Sequence, residues 1–168
     1  GEMTADQLNE RVEVIYDDQL KKDISNKQSI VLLTSHQFNW EWCVHATKLR
    51  MDFPFEVVYQ RLQNKSFDKY MHQSRTHFGI IIIEKGSIVK HTVGTRNDFK
   101  ALTLLADQRP ARKGQKHWSK FLHQDTPFVM GPEVLAQVLK ASVYLHDAER
   151  VKRGHYKVRI THLVSPPY

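Results

Sequence analysis

The sequence predicts a single α/β domain, in which a mostly parallel central sheet is covered by helices on both faces and is followed by a C-terminal hairpin. Short continuous apolar runs, such as residues 29–34 (SIVLLT), are typical of strands that are buried on both faces. Segments with helical spacing alternate with these runs, which is the pattern of βαβ units. At 168 residues, the chain is long enough for one ordinary domain and too short for two.

The first half of the chain is predicted to form an outer helix and then a strand, helix and strand. Apolar side chains at loose helical spacing predict one helix across residues 6–22. Residues 29–34 and 55–60 are predicted strands, and the stretch between them has helical character. Such a unit normally has parallel strands and a right-handed crossover. We therefore divide the chain into an N-terminal helix and connector, residues 1–28, and an α/β core, residues 29–165.

The second half repeats the alternation and ends in a hairpin. A helix capped by Ser66 is predicted to end at Gly79, because glycine is favoured just after helix C-termini. Gly131 and Pro132 open a short helix, since the first helical turn tolerates proline. Alternating apolar and polar residues on both sides of Gly154 predict a hairpin at one edge of the sheet. Further strands are predicted at residues 79–86 and 101–106.

Composition limits the classes of protein to which the chain can belong. Hydrophobic residues make up 40% and charged residues 26%, which argues against a disordered or fibrous protein. A single cysteine, Cys43, excludes an intrachain disulfide and argues against a cysteine-based zinc site, so we predict no metal site. No apolar run approaches the ~18 residues that cross a bilayer. The net charge of +7 predicts partners that carry phosphate or carboxylate groups.

Three polar side chains near predicted strand ends are candidates for chemistry. His36 comes shortly after the strand at residues 29–34, and Asp107 directly follows the run at residues 101–106. Because ligands bind beyond the carboxyl ends of strands in open α/β sheets, we expect both to line one crevice. Glu41 can face His36 if the histidine lies in the turn before a helix. We expect Glu41 to accept the Nδ1 proton of His36, so that Nε2 acts as a general base.

Motifs in three segments carry a resemblance to a known family. Residues 36–42 (HQFNWEW) resemble the HxxNWEW form of the H-x4-D/E motif of lipid A biosynthesis lauroyl and myristoyl acyltransferases, which are part of the lysophospholipid acyltransferase superfamily. Residues 55–79 are similar to the family's VYRPLKNP…R…G block, and residues 101–114 are similar to its ADQ…G block. The three motifs occur in the family's order and extend the resemblance over roughly residues 30–165.

The resemblance implies a glycerolipid acyltransferase-like fold and a specific reaction. A fatty acyl group passes from an acyl carrier protein thioester to a hydroxyl of an anionic lipid, a lipid A precursor or a related membrane lipid, and no cofactor is needed. His36 is implied as the general base with Glu41 as its partner. The positions that match family motifs near the substrate are Asn39, Arg75, Asp107 and Gln108. Arg75 is equally compatible with a charge on a helix surface.

The resemblance also implies a place in the cell. Residues 1–168 correspond to the catalytic core, without the N-terminal anchor and C-terminal extension that family members normally carry. We expect the protein at the cytoplasmic face of the bacterial inner membrane, bound peripherally or through an anchor absent from this chain.

Two basic segments are candidates for contact with the membrane or the carrier protein. Between residues 109 and 122, cations alternate with aromatic residues, a mixture that suits an anionic membrane interface. The residues that we assign to membrane or carrier contact are Arg112, Lys113, Lys116 and Trp118. A solvated loop with one buried aromatic cluster explains this segment equally well. The basic residues of the C-terminal hairpin suit either an acidic carrier protein or a wet edge strand.

Two other classes of protein compete with the acyltransferase. The alternative function is a basic nucleic-acid-binding α/β module without catalysis, which the charge of +7 and the aromatic residues among the cations favour. Such a module would expose an aromatic platform on its sheet, whereas these strands are continuously apolar, so we predict no nucleic-acid partner. A histidine-rich metal enzyme is the third class. Ten histidines favour it, but the sequence has no H-E-x-x-H motif and no cysteine cluster.

Overall fold

A seven-stranded sheet forms the centre of the computed structural model, which describes residues 3–111, 114 and 116–168. The strands are β1 (Val12–Tyr16), β2 (Ile30–Thr34), β3 (Phe55–Tyr59), β4 (Ile81–Glu84), β5 (Ala101–Leu105), β6 (Lys116–Phe121), β7 (Gln124–Val129), β8 (Ser142–Lys152) and β9 (His155–Val164). The helices are α1 (Ala5–Arg11), α2 (Asp18–Ser25), α3 (Trp40–Lys48), α4 (Lys65–Thr76), α5 (Ile88–Gly94) and α6 (Gly131–Leu139).

The strand order of the main sheet is β1-β9-β8-β2-β5-β3-β4. Strands β8, β2, β5, β3 and β4 run parallel to one another, and β8 and β9 form an antiparallel hairpin. Strand β1 adds to the outer edge of this hairpin, parallel to β9. The predicted class, a mostly parallel α/β sheet in one domain with a C-terminal hairpin, is confirmed.

The apolar strand β2 is buried because helices cover both faces of the sheet. Ile30, Val31 and Leu32 are each 0% exposed. Ile30 and Leu32 belong to a core cluster with apolar residues of α1, α2 and α3, whereas Val31 belongs to a second cluster with residues of α6. Neighbouring side chains of a strand point to opposite faces, so a continuous apolar run is required where both faces are covered.

The prediction of one helix across residues 6–22 is wrong. The structure has α1, the strand β1 and then α2 in this region. A capping box at Thr4 begins α1, and the side chain of Asp17 caps α2. Between them, the segment VEVIY is rich in β-branched residues and pairs with β9, so tertiary pairing decides its conformation.

Three further details of the chain differ from the predictions. The N-cap of α4 is Asn64 and not Ser66, because the Asn64 side chain accepts hydrogen bonds from the backbone N–H groups of Ser66 and Phe67. Helix α4 ends at Thr76 and not at Gly79, although the φ of 80° at Gly79 is one that favours glycine. Strands β6 and β7 form a second antiparallel hairpin, which was not predicted.

The described residues contain neither a membrane-spanning helix nor a cluster of potential metal ligands. No helix within residues 3–111 and 116–168 is both long and apolar enough to cross a bilayer. Over the same described ranges, no three His, Cys, Asp or Glu side chains form a group that could hold a metal ion.

Candidate active site

His36 and Asp107 meet at the carboxyl ends of two adjacent parallel strands. Thr34, the last residue of β2, is paired with Leu105, the last residue of β5, so the loops that follow both strands leave the sheet at the same edge. The His36 ring donates from Nδ1 to Oδ1 of Asp107 at 2.7 Å. The backbone N–H of His36 donates to Oδ2 of the same carboxylate at 3.0 Å. The structure thus brings both residues together at this edge of the sheet, and a ligand-binding crevice lined by them stays a prediction.

The carboxylate of Asp107 controls the proton positions on the imidazole. Burial by itself would raise the pKa of Asp107, but the hydrogen bonds from the backbone and ring of His36 outweigh it and hold this pKa below its usual value. Asp107 is therefore ionised at neutral pH and accepts a hydrogen bond from Nδ1–H. Since a neutral imidazole carries one proton, Nε2 keeps its lone pair.

The other ring nitrogen of His36 is open to a ligand. The His36 side chain is 37% exposed, and the edge of the ring faces Trp40 at 5.5 Å between centroids. No residue in the described part of the chain forms a hydrogen bond to Nε2. The arrangement can take up a proton from a group that enters from solvent.

The prediction that Glu41 accepts the Nδ1 proton of His36 is wrong, because Asp107 occupies that position. Glu41 lies in the first turn of α3, where its Oε1 accepts from Nε of Arg75 at 2.7 Å and lies 2.7 Å from a terminal nitrogen of the same guanidinium. Glu41 is the acidic residue nearest to His36 along the chain, which is why the sequence favours it. In the folded protein, the end of the neighbouring strand β5 lies closer to His36 than the helix that follows it.

Arg75 is a fixed part of this site. Its side chain is 21% exposed, and its guanidinium lies 5.2 Å from the ring centroids of both Trp40 and Tyr59. A planar guanidinium stacks on aromatic faces and at the same time forms a fork with a carboxylate. Of the two interpretations of Arg75, the structure contradicts a solvated charge on a helix surface.

The remaining residues that we predicted near the substrate have separate positions. Asn39 is the N-cap of α3, and its side chain accepts from the backbone N–H of Trp42 at 3.2 Å. Gln108 is exposed and follows Asp107 directly. A substrate contact of either residue stays a prediction.

Comparison with known proteins assigns the chain to a family. The sequence model of the bacterial lipid A biosynthesis acyltransferases matches residues 2–165, nearly the whole chain. The chain belongs to this family. A comparison with curated proteins found no match. The protein is thus an acyltransferase of lipid A biosynthesis, which uses an acyl donor and a lipid acceptor.

The acyltransferase also buries a histidine that the sequence analysis did not select. His45 is 7% exposed and lies one helical turn after Glu41, in the wall of a small cavity that Trp40 and Arg75 also line. Burial, followed by the charges of His77 and Arg75, lowers the pKa of His45 to about 4, so it is neutral at pH 7. In the sequence, the spacing of four residues from Glu41, about one helical turn, could have indicated that His45 lies close to it.

The only cysteine of the acyltransferase is unsuited to covalent catalysis. Cys43 is 0% exposed, and burial raises its pKa to about 12. Because the thiolate is the nucleophilic form, this thiol is inert near neutral pH. Cys43 is therefore not a candidate for a covalent nucleophile.

The segment that we assigned to membrane or carrier contact folds into the β6–β7 hairpin. Arg112 and Lys113 lie outside the described residues, whereas Lys116 and Trp118 belong to β6. Trp118 is 60% exposed, and Leu122 in the turn is 76% exposed. The interpretation as a loop with a buried aromatic cluster is wrong, and contact with a membrane or a carrier stays a prediction.

Proposed function

We propose that this acyltransferase moves a fatty acyl group from an acyl carrier protein thioester to a hydroxyl of a lipid A precursor, with His36 as the general base. The observation that carries the proposal is the contact between His36 Nδ1 and Asp107 Oδ1 at 2.7 Å, which leaves Nε2 open at the strand end. A general base in such a position typically accelerates a reaction by about 10²–10⁴-fold.

The proposed step needs one proton acceptor and no covalent enzyme intermediate. Nε2 of His36 takes the proton of the acceptor hydroxyl, while the oxygen of that hydroxyl attacks the thioester carbonyl carbon. The tetrahedral intermediate then expels the thiolate of the carrier, and the imidazolium returns the proton to that sulfur. The products are an ester and a free thiol. Asp107 stabilises the imidazolium that forms between the two proton transfers.

Glu41 has a positioning role in this proposal and acts through Arg75. The ion pair holds the guanidinium against Trp40, the same aromatic residue that contacts His36. In this proposal, the positive charge of Arg75, next to Trp40, stabilises the negative charge that develops on the thioester oxygen. Asn39 and Gln108 stay candidates for direct contact with the acceptor.

A cleft next to Glu41 supports a substrate with an aliphatic chain. It has a volume of about 470 Å³ and lies between α1, α3 and α4. Aliphatic and aromatic side chains form much of its wall: Met3, Leu8, Trp42, Tyr70 and Phe78. Pockets of this size and lining commonly hold hydrophobic ligands. An acyl chain in this cleft would have its carboxyl end near Glu41 and Arg75.

The β8–β9 hairpin supports docking of an acidic carrier protein. Because Leu33 of β2 pairs with Leu145, the remainder of β8 extends beyond the carboxyl end of β2, on the side of His36. The exposed tip of this hairpin carries three cations: Arg150, Lys152 and Arg153. Charge of this kind increases the rate of association with an acidic partner.

The β6–β7 hairpin supports a position at the cytoplasmic face of the inner membrane. Trp118 and Phe121 are more than half exposed, and the two strands pair only with each other. Lys116 and Lys120 lie on the same hairpin, and each cation near an anionic lipid surface contributes roughly 1 kcal/mol. Aromatic rings prefer the depth of the lipid headgroups.

Replacement of His36 by glutamine tests the proposed function. Purified full chain would be incubated with an acyl carrier protein thioester and a lipid A precursor, and the acylated lipid would be measured by mass spectrometry. We expect H36Q to lower the rate by about 10²–10⁴-fold, since Gln cannot take up the proton. The matched control, H117Q, changes an exposed histidine of β6 and should keep the wild-type rate. Equal rates for wild type and H36Q would refute the role of His36.

A further inference from the structure

A second cleft of the structure is lined mainly by polar and charged residues. It lies between α4 and the carboxyl ends of β3 and β4 and has a volume of about 620 Å³. Seven of its residues are titratable: Tyr59, Arg61, Lys65, Asp68, Lys69, His72 and Glu84. Known ligand pockets of roughly 300–1,000 Å³ hold molecules of the size of a phosphorylated sugar.

One wall of this cleft is a cationic face of α4. Lys65, Lys69 and His72 lie at positions i, i+4 and i+7, and residues with this spacing share one side of a helix. Both lysines are exposed. Within residues 3–111, 114 and 116–168, no carboxylate forms an ion pair with Lys65 or Lys69. Their ammonium groups are therefore available to an anionic ligand.

The two carboxylates of the cleft already have partners. Asp68 accepts hydrogen bonds from the hydroxyl of Tyr59 and from the backbone N–H of Leu62, and these bonds lower its pKa. Glu84 pairs with Arg61, whose Nε lies 2.7 Å from Oε1. Because both carboxylates are engaged, they compete little with a ligand for the lysines.

The cleft adjoins the candidate active site through a shared wall. Tyr59 lines the cleft, and its ring contacts the guanidinium of Arg75 at 5.2 Å. Arg75 in turn pairs with Glu41 beside Trp40, the neighbour of His36. A substrate that places its hydroxyl at His36 can thus place another group on the far side of Arg75.

We infer that this cleft binds a phosphate monoester on the sugar of the acceptor lipid, and that Lys65 and Lys69 neutralise its charge. The inference rests on the proposed function, because it names a part of the acceptor. A phosphate monoester carries close to two negative charges at pH 7, and lysine binds phosphate as a point charge. The unpaired cations, the polar lining and the position beside Arg75 all fit this group.

A binding experiment tests the inference independently of catalysis. Glucosamine 1-phosphate would be titrated into isotope-labelled full chain, and backbone amide shifts of α4 would be followed by NMR. We expect saturable shifts that unphosphorylated glucosamine does not produce, and about tenfold weaker binding by the double variant K65Q/K69Q, which corresponds to ~1.4 kcal/mol. The control K22Q/K90Q removes two exposed lysines of α2 and α5 and should bind like wild type. Equal shifts with glucosamine, or equal affinity of K65Q/K69Q, would overturn the inference.

A kinetic experiment assigns the phosphate to the acceptor. With a phosphorylated acceptor, K65Q/K69Q should raise the KM for that acceptor about tenfold and leave kcat unchanged, since the lysines do not touch the reacting atoms. Removal of the phosphate from the acceptor should abolish the difference between variant and wild type. A raised KM for the carrier thioester instead would place a part of the donor in the cleft and refute the assignment. Absence of transfer by wild type would refute the proposed function and leave the binding experiment valid.

Discussion

Replacement of Asp107 by asparagine removes the charge that holds the candidate base while it changes few atoms. Asp107 accepts two hydrogen bonds, one from the His36 ring at 2.7 Å and one from the His36 backbone at 3.0 Å. An asparagine side chain has a single oxygen, so its amide group faces one of the two donors. If the amide faces the ring, Nδ1 must become the acceptor and the proton moves to Nε2. The base then has no lone pair for the substrate.

The size of the effect follows from these two bonds. A hydrogen bond to a charged group contributes roughly 1.5–3 kcal/mol, and the low value applies here because the Asp107 side chain is 34% exposed. Loss of one bond and of the negative charge that strengthens the other removes at most about 3 kcal/mol, which corresponds to a rate up to about 10²-fold lower at ~1.4 kcal/mol for each factor of ten. The corresponding change in a buried catalytic triad costs about 10⁴-fold, which sets an upper bound.

The assay is the single-turnover rate of acyl transfer at pH 7.5 with saturating acceptor. D107N should be about 10²-fold slower than wild type, whereas D125N, which changes an exposed carboxylate of β7, should be unchanged. In an H36Q background, D107N should have almost no further effect, because the two residues act as a unit. A rate of D107N within threefold of wild type, or an equal loss in the H36Q background, would contradict the reasoning.

Two further predictions concern Arg75 and a second buried histidine. R75K keeps the charge but loses the fork to Glu41, so kcat/KM should fall about tenfold. The control R96K changes an exposed arginine and should have no effect. Equal kcat/KM values for R75K and wild type would show that the fork is dispensable. Burial lowers the pKa of His146 to about 4 in the folded protein. As the pH falls below ~6.5, this histidine is therefore protonated in the unfolded chain before it is protonated in the folded chain, which favours unfolding. Between pH 7 and pH 5, wild type should therefore lose about 2 kcal/mol more of its free energy of unfolding than H146Q in urea titrations, with H117Q as the wild-type-like control. Parallel losses in wild type and H146Q would exclude this contribution.

The main sheet could be predicted because burial on both faces leaves a distinct pattern in the sequence. Ile30, Val31 and Leu32 show it in β2, and Ala101 and Leu102 show it in β5. A strand with helices on both sides has no position that favours a polar residue, so its run is apolar throughout. Ligands of such sheets bind beyond the carboxyl ends of the strands, which is why the meeting of two distant residues there could also be predicted.

Edge elements could not be predicted because their conformation depends on partners that are distant in sequence. β1 has the burial pattern of a half-exposed strand, and its pairing with β9 is what makes this segment a strand and not a continuation of the helices on either side. The β6–β7 turn has positive φ at Leu122 and His123, 50° and 64°, where hairpins normally carry Asn or Gly. Without those residues, the sequence gives no local signal for the turn.

The partner of His36 illustrates the same limit within the candidate active site. A spacing of five residues suggested Glu41, and a motif of the family contains both residues. The structure instead uses Glu41 to reach Arg75, thirty-four positions away on α4. Sequence spacing describes which residues are close along one element, whereas the partner of a side chain at a strand end is often on the next strand of the sheet.

The two carboxylates of the site therefore act on different parts of the protein. Asp107 connects loops that leave the rigid centre of the sheet, so it determines the position and proton of His36. Glu41 connects α3 to α4, a helix with no buried residue, whose position depends on contacts such as the Glu41–Arg75 pair and the Tyr59–Asp68 bond. Because α4 also forms the cationic wall of the second cleft, loosening Arg75 should affect acceptor binding first, whereas a change at Asp107 should affect the chemical step. The ratio of the effects on KM and kcat thus separates the functions of the two contacts.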